Sequence, residues 1–297
     1  MTSGESDTST NPVDHPFPAS VSILGVGLLG ASVARSIRRY HPDTRLAGWA
    51  RSETTAQRLG EIGDLPLDHI STDLNEICRD AEFIVVASPV NHIATLVQKA
   101  ADASPPDASI TDVGSTKSNI ISGVRNHEKS LAKLIAAHPI AGSEKSGAQF
   151  GTADLFDNKV TIITPHHEHD PARLNAVHAF WQALGSQTIE MSPQEHDRVL
   201  ANVSHVPHLI SAAVAKRTTP ASLPLTGSGW RDITRVAAGD VPMWMAIIEA
   251  NRTSITQELL GMREELDHVI RYLENNDTVR LTEWLTKAKE TKQASDL

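Results

Sequence analysis

The stretch Val21-Ser22-Ile23-Leu24-Gly25-Val26-Gly27-Leu28-Leu29-Gly30 decides the fold, because a short apolar run ends in glycines and continues as a helical pattern. The run predicts a buried strand, and the spacing after it predicts an amphipathic helix to about Tyr40. In a Gly-x-Gly-x-x-Gly turn, the first glycine allows a tight turn, the second admits a pyrophosphate, and the third lets the helix pack on the strand. A glycine-rich turn without a ligand is the alternative, which the flanking strand and helix disfavour. The predicted dinucleotide contacts at the helix N-terminus are Gly25, Gly27, Leu28, Leu29 and Gly30.

Short apolar runs alternate with helical patterns along the next part of the chain. The runs are residues 45–49, 83–87, 109–113, 160–164 and 187–191, and the helical patterns include 52–62, 91–103 and 171–184. Such alternation is typical of a doubly wound parallel sheet with helices on both faces. The fold class predicted for residues 20–191 is therefore α/β, a Rossmann-type dinucleotide-binding domain.

After Met191 the strand signals stop, and the pattern becomes helical. One pattern covers residues 192–216, and a second covers 243–273, with a one-sided apolar face made by Ile248, Ile255, Leu259, Met262, Leu266 and Leu273. Long amphipathic helices need partners, and this segment has few helices to offer. We therefore predict an all-helical substrate and dimerisation domain at residues 192–297 that forms a homodimer. The polar residues 1–19 are predicted to be a disordered tail.

Composition narrows the possible partners of the chain. It has 297 residues, with 27 basic against 36 acidic side chains and a formal charge of −9, which argues against nucleic acid or an anionic membrane surface. No apolar window is long enough to span a bilayer, and the start lacks a secretory signal, so we expect a cytoplasmic protein. The single Cys78 allows no internal disulfide, and we expect the histidines of the loop at 166–169 to be solvated, so no metal site is predicted.

The end of the second predicted strand bears on cofactor choice. A carboxylate that binds the ribose hydroxyls of NAD is usually found here, but this chain has Trp49-Ala50-Arg51-Ser52. Arg51 and Ser52 could bind a 2′-phosphate, which favours NADP, although Arg51 could also be a solvated loop residue. Glu53 could instead receive a ribose hydroxyl of NAD. Ser88 and Pro89 follow the strand at 83–87 and are predicted to contact the cofactor.

Two polar segments follow later strand signals. Asp112-Val113-Gly114-Ser115-Thr116-Lys117 leads into a helical pattern, with Ser115 or Thr116 predicted to cap that helix. His138-Pro139-Ile140-Ala141-Gly142-Ser143-Glu144-Lys145-Ser146-Gly147 follows the apolar stretch 131–137 and predicts a loop. A loop that gathers His, Glu, Lys and Ser among glycines is a candidate catalytic segment.

The glycine turn at 25–30, these two segments and three later motifs together resemble the prephenate and arogenate dehydrogenase family of tyrosine biosynthesis. The later motifs are Asn202-Val203-Ser204-His205-Val206-Pro207-His208, Gly229-Trp230-Arg231-Asp232-Ile233-Thr234-Arg235 and Asp240-Val241-Pro242-Met243-Trp244. The motifs follow the family's order from about residue 21 to 252. The chain departs from the family at position 50, which has no acidic residue.

The resemblance implies an oxidative decarboxylation in which a cyclohexadienol carrying a ring carboxylate loses hydride to NAD or NADP, loses CO2 and becomes a phenol. By the family's pattern, His138 is the base on the ring hydroxyl and Ser115 hydrogen-bonds that histidine and the substrate. Arg235 and His205 match residues that bind substrate, and we assign Glu144 and Trp244 to the same site. From the residues alone, His205 and His208 would be taken for helix packing or a weak metal site. A 3-hydroxyacid dehydrogenase and a nucleotide-sensing module are the alternatives, and neither requires His138 together with Arg235.

Overall fold

The computed structural model describes residues 17–142 and 145–294, which form two compact units. The first unit takes the chain up to Asp197 together with Ala238–Ala250, and the second takes Arg198–Ala237 and the chain from Asn251 onward. The predicted tail at 1–19 lies outside the described residues except for its last three positions. Of these, Phe17 stacks on His41 with 3.6 Å between the ring centroids.

A five-stranded parallel sheet forms the centre of the first unit. Its strands are β1 (Ser20–Leu24), β2 (Arg45–Trp49), β3 (His69–Ser71), β4 (Phe83–Val86) and β5 (Ser109–Asp112), in the order β3-β2-β1-β4-β5. The helices between them are α1 (Leu28–Tyr40), α2 (Glu53–Gly60), α3 (Leu74–Cys78) and α4 (Val90–Ala103). The order reverses at β1, so the carboxyl ends of β1 and β4 form the crevice where ligands of such sheets bind. The Rossmann-type prediction is confirmed, although β3 and α3 were not predicted.

A second sheet of three strands departs from the single parallel sheet that the alternation suggested. It contains β6 (Ala136–Pro139), β7 (Val160–Thr164) and β8 (Gln187–Glu190), and β6 runs antiparallel to β7. Parallel neighbours need a crossover, usually a helix, but the described chain between β6 and β7 has only a short 3-10 turn, Ala148–Phe150. The helices of this part are α5 (Ser118–Val124), α6 (Glu128–Lys133) and α7 (Pro171–Ala183). His138 therefore lies on a strand rather than in the predicted loop.

The apolar side chains of the first unit form two large clusters. One gathers around α4 and includes Ile93 and Ile110. The other includes Ile23, Phe180 and Trp181, with the rings of Phe83 and Phe180 stacked at 4.2 Å. Because the central strands are buried completely, they read as continuous apolar runs in the sequence.

Each of the two long helices predicted for the second half of the chain is divided in the structure. They are α8 (Pro193–Leu200), α9 (Val206–Arg217), α10 (Ser228–Thr234), α11 (Val241–Ala250), α12 (Arg252–Glu274) and α13 (Thr278–Ala294). The pattern at 192–216 is interrupted by a π-helical turn, Ala201–His205, next to Pro207, which has no N–H for the helical ladder. The pattern at 243–273 is interrupted at Asn251, whose φ of −117° and ψ of 28° leave the helical region. The polar end of the sequence forms α13, which was not predicted.

Helix α11 belongs to the first unit although it follows residues of the second. Ile247 is buried in the apolar cluster around α4, and Trp244 packs against the same cluster. None of the helices that the structure describes is long and apolar enough to cross a membrane.

Candidate active site

The glycine turn has the geometry that a dinucleotide requires. Gly25 has a φ of +100°, and a Cβ there would lie 2.5 Å from Ser88 Oγ and 2.7 Å from the Ala87 carbonyl oxygen. A Cβ on Gly30 would lie 2.2 Å from the Gly25 carbonyl oxygen, so only glycine lets α1 pack this closely on the turn. By contrast, a Cβ on Gly27 would meet nothing within 4 Å. The open space at the N-terminus of α1 fits a pyrophosphate group.

Ser88 and Pro89 lie at the same edge of the sheet. The Ser88 hydroxyl donates to the Leu24 carbonyl oxygen at 3.0 Å, which ties the ends of β4 and β1 together. Pro89 is the N-cap residue of α4. Both residues therefore shape the crevice, and Ser88 uses its proton within the protein.

At the end of β2, where the adenosine ribose would bind, the structure places Arg51 and a carboxylate that is already hydrogen-bonded. Ser52 caps α2 by accepting the Thr55 N–H at 3.3 Å, and Arg51 is exposed beside it. Glu53 Oε1 accepts the hydroxyl proton of Thr72 at 2.5 Å. The Glu53 carboxylate, which could accept a ribose hydroxyl of NAD, is thus hydrogen-bonded to Thr72, the residue after β3.

Three polar side chains of the first unit, His138, His196 and Asp197, form a hydrogen-bonded line. Nδ1 of His138, on β6, lies 2.9 Å from Nε2 of His196, on α8. Nδ1 of His196 lies 2.9 Å from Oδ1 of Asp197. His196 and Asp197 are buried, with 0% and 3% of their surface exposed. Neither residue was predicted, because Glu195-His196-Asp197 has the composition of the polar start of a helix.

Asp197 also holds the start of α5. Its carboxylate accepts the N–H of Lys117 at 2.7 Å and the N–H of Ser118 at 2.9 Å. The prediction that Ser115 or Thr116 caps this helix is therefore wrong: Asp197 caps it from a distant part of the chain, and the Thr116 hydroxyl donates to Asn119 at 2.7 Å. Ser115 is half-buried on the segment between β5 and α5.

A buried ion pair holds the backbone next to His138. Lys117 Nζ lies 2.5 Å from Asp112 Oδ2 and donates to the Ala137 carbonyl oxygen at 2.6 Å. Asp112 Oδ1 accepts the Ala137 N–H at 3.2 Å. Both main-chain groups of the residue before His138 are therefore bound by this pair, which is inaccessible to solvent.

Burial sets the charges of this region. Desolvation lowers the pKa of His196, so its imidazole is neutral near pH 7. Burial also lowers the pKa of Lys117, and the Asp112 carboxylate opposes that shift. Burial alone would raise the pKa of Asp197, but hydrogen bonds from His196, Lys117 and Ser118 outweigh it and hold that pKa below its ordinary value.

In the second unit, His205 is buried within the π-helical turn. Its Nδ1 lies 3.2 Å from the side-chain Nδ2 of Asn251. The contact holds the ring against Asn251, and π-helical turns are frequent at functional sites.

The other predicted site residues are distributed over both units. Arg235 follows α10 and is exposed, and burial lowers the pKa of His208 on α9. Trp244 lies on α11, as described above. Glu144 lies outside the described residues.

Within the described residues, no group of three or more His, Cys, Asp or Glu side chains is arranged to hold a metal. In the loop at 166–169, His166 Nε2 lies 3.0 Å from the Leu131 carbonyl oxygen, so His166 is bound to the protein rather than solvated as predicted. Cys78 is buried, and burial raises its pKa to about 12.

A glycine turn at the reversal point of this sheet, with a buried histidine and carboxylate array in the same unit, is the architecture of a dinucleotide-dependent dehydrogenase. The family model described as the nucleotide-binding domain of prephenate dehydrogenase matches residues 33–190, and that of its dimerization domain matches residues 192–287. The chain therefore belongs to the prephenate dehydrogenase family and is an enzyme that uses a nicotinamide dinucleotide.

Characterised relatives cover most of the chain. The prephenate dehydrogenase of Bacillus subtilis strain 168 is 30% identical over 281 residues, which are 91% of this chain and 74% of that protein. The cyclohexadienyl dehydrogenase of Zymomonas mobilis is 30% identical over 243 residues, which are 79% of this chain and 82% of that protein.

Solved structures agree with this assignment. Prephenate dehydrogenase from Aquifex aeolicus, in complex with hydroxyphenyl propionate and NAD+, has a TM-score of 0.85 and 28% identity, covering 93% of this chain and 97% of that one. Synechocystis arogenate dehydrogenase has a TM-score of 0.79 and 25% identity, covering 93% of this chain and 99% of that one.

Proposed function

We propose that the chain oxidatively decarboxylates prephenate to 4-hydroxyphenylpyruvate with transfer of hydride to NAD(P), a step of tyrosine biosynthesis. The observation that carries the proposal is the placement of His138, whose Nδ1 is engaged by a buried histidine while the main chain before it is held by an ion pair. The names of the relatives support the substrate. A base held this firmly suits a reaction that begins with removal of a hydroxyl proton.

In the proposed reaction His138 accepts the proton of the ring hydroxyl through Nε2, since Nδ1 is engaged. Bound nicotinamide supplies the acceptor for the hydride that leaves the hydroxyl-bearing carbon. The ring carboxylate departs as CO2, and its bonding electrons restore the aromatic ring as a phenolate, which regains the proton. His138 thus takes one proton and returns it, and Ser115 is proposed to hydrogen-bond both the histidine and the substrate hydroxyl.

Prephenate is a dianion, so a protein with a formal charge of −9 needs local donors to bind it. We assign Arg235 to a carboxylate, because a guanidinium binds carboxylates through two parallel hydrogen bonds. His205 is assigned to a second substrate oxygen, as the family's pattern implies. Glu144 and Trp244 remain predictions for the same site.

The test is a steady-state assay of the purified protein with prephenate and arogenate, each with NAD+ and NADP+. We expect the highest kcat/KM with prephenate; a higher value with arogenate would assign the alternative substrate, and no turnover of either would refute the proposal.

His138→Asn should lower kcat roughly 100-fold or more with little change in cofactor affinity, as removal of a general base does. The matched control is His178→Asn, a half-buried histidine that binds Thr188 and Glu190 in the same unit. Near wild-type kcat in His138→Asn would show that another group is the base.

Arg235→Gln should raise KM for prephenate by about tenfold or more, corresponding to roughly 1.5–3 kcal/mol for a lost charged hydrogen bond. An unchanged KM would place the carboxylate elsewhere. A raised KM for the cofactor alone would assign Arg235 to the nucleotide.

For the cofactor we propose a preference for NADP. Arg51 is exposed at the end of β2, and the contact of Glu53 with Thr72 takes the nearby carboxylate away from a ribose. A guanidinium contact with a 2′-phosphate predicts that kcat/KM favours NADP by roughly tenfold, and that Arg51→Ala removes this preference. A preference for NAD that Arg51→Ala leaves unchanged would contradict the proposal.

We also propose that the chain forms a homodimer through its helical part. The match to a dimerization domain supports it, as do exposed apolar side chains along α12, among them Leu260, Leu266 and Ile270. Cytoplasmic location and the absence of a nucleic-acid partner stay predictions from composition.

A further inference from the structure

His138, His196 and Asp197 form an unbroken line of hydrogen-bonding groups inside the first unit. The two links measure 2.9 Å each, and the far end of the line is a carboxylate fixed by backbone N–H groups. We propose that His196 and Asp197 are positioning residues that select the tautomer of His138 and stabilise its protonated form. The inference rests on the proposed function, because it assumes that His138 is the base.

The order of donors and acceptors follows from the carboxylate. Asp197 already accepts two N–H groups and is ionised, so it can only accept from His196. Nδ1 of His196 therefore carries the proton, and Nε2 of His196 carries a lone pair. Nδ1 of His138 must then be the donor to that lone pair, which leaves the lone pair of His138 on Nε2. One buried carboxylate thus sets the protonation of two imidazoles in series and makes Nε2 of His138 basic.

The same line stabilises the cation that forms when His138 takes a proton. The protonated His138 ring keeps its Nδ1–H bond to neutral His196. The Asp197 carboxylate polarises His196 through their hydrogen bond and so strengthens the bond from His138. The other charged groups near His196 are Lys117, which disfavours a positive charge on the ring, and Asp112, which favours it. Lys117 and Asp112 pair with each other, and Asp197 is the carboxylate that His196 bonds directly.

The two hydrogen bonds of His196 connect His138 with Asp197 and are not part of the cap of α5. Asp197 caps α5 through Lys117 and Ser118 without needing the histidine. An imidazole with no exposed surface costs free energy unless both nitrogens are bound, and here each nitrogen serves one neighbour in the line.

The kinetic test compares His196→Phe, which removes both bonds, with His196→Gln, which places an acceptor oxygen at the reach of the imidazole Nε2. We expect His196→Phe to lower kcat roughly 100-fold with KM for substrate and cofactor nearly unchanged, and His196→Gln to recover part of the loss. Loss of the acceptor should also lower the pKa of His138, so the acid limb of the kcat/KM profile should move to lower pH by about one unit. A loss of kcat with an unmoved acid limb and no recovery in His196→Gln would overturn the proposal.

The control for that test is His178→Phe, which removes a half-buried histidine that also lies against a carboxylate, Glu190. It should leave both kcat and the pH profile unchanged. An equal loss in the control would mean that any lost histidine in this unit has the effect, which would also overturn the proposal.

A second measurement does not depend on turnover. Histidine-selective 15N labelling of the wild-type protein reports which ring nitrogen of each of the 14 histidines carries the proton, and the His138 signals are those absent from His138→Asn. We expect a protonated Nδ1 and an unprotonated Nε2 in neutral His138, and a protonated Nδ1 in His196. The opposite tautomer of His138 would refute the positioning role of His196 and Asp197 even if the enzyme oxidises prephenate. The expected tautomers in a protein that oxidises neither prephenate nor arogenate would support that role and reject only the proposed function.

Discussion

Replacing Lys117 by methionine tests how much the buried ion pair of Lys117 and Asp112 contributes to the free energy of unfolding. Among the residues that the structure describes, the substitution leaves the Asp112 carboxylate with the N–H groups of Gly114 and Ala137, at 2.8 and 3.2 Å. It also removes the Lys117 donor to the Ala137 carbonyl oxygen. Breaking a buried pair by removing one partner costs about 3–5 kcal/mol, a large part of the 5–15 kcal/mol that stabilises a typical protein. We therefore expect Lys117→Met to lower the free energy of unfolding by about 3–5 kcal/mol.

The double variant Asp112→Asn/Lys117→Met separates charge from shape. Without either charge no ion is left uncompensated, so we expect the double variant to lose about 1–2 kcal/mol, less than Lys117→Met alone. The exposed pair of Lys129 and Asp102, 2.9 Å apart with 63% and 54% of the side chains accessible, is the matched control. Lys129→Met should cost less than about 0.5 kcal/mol.

Urea unfolding followed by tryptophan fluorescence measures these differences, since Trp181 is completely buried in the first unit. A cost below about 1 kcal/mol for Lys117→Met would contradict a stabilising role of the ion pair. A double variant as unstable as Lys117→Met would contradict it too, because the loss would then come from packing and not from an unpaired charge.

Three further predictions concern other parts of the molecule. Gly25→Ala forces a Cβ to within 2.7 Å of the Ala87 carbonyl oxygen and should lower the free energy of unfolding by about 1–3 kcal/mol. Gly27→Ala should leave the free energy of unfolding unchanged and weaken cofactor binding in a fluorescence titration. Equal stability of the two variants would contradict the geometry. Burial lowers the pKa of His166, so the unfolded chain takes up more protons than the folded chain as pH falls below the ordinary value of 6.5. Melting temperatures should accordingly fall from about pH 7 downward, and less steeply in His166→Gln; parallel curves would refute this. Sedimentation should give about twice the chain mass of 32.1 kDa. Leu266→Glu, which places a charge on the exposed apolar face of α12, should reduce the sedimenting mass. A fully active wild-type monomer at micromolar concentration would exclude the dimer.

The parts of the fold that were predicted correctly have strong local signals. The first strand, turn and helix follow from apolar periodicity and from glycines whose missing Cβ atoms the structure explains. Strand β6 was missed because the apolar stretch 131–137 begins in α6 and continues through Leu134 and Ile135 into the strand without a turn signal. The break at Asn251 was missed because apolar residues continue at helical spacing on both sides of it, from Ile248 to Ile255.

The candidate site divides in the same way. His138 was recognisable from its motif, but its partner His196 is 58 residues away and the backbone groups that bind Asp197 are 79 and 80 residues from it. A histidine next to an aspartate at the start of a helix has ordinary local explanations. Only tertiary contacts show that the pair completes a hydrogen-bonded line.

The return of α11 to the first unit has a consequence for how the chain is made and divided. Synthesis proceeds from the N-terminus, so the apolar cluster around α4 lacks Ile247 until 50 residues beyond Asp197 have been added. A fragment that ends near residue 197 would leave that part of the cluster exposed to water and prone to aggregation. A cofactor-binding fragment or a chimera should therefore carry residues 238–250, joined through a linker in place of the second unit's intervening segment.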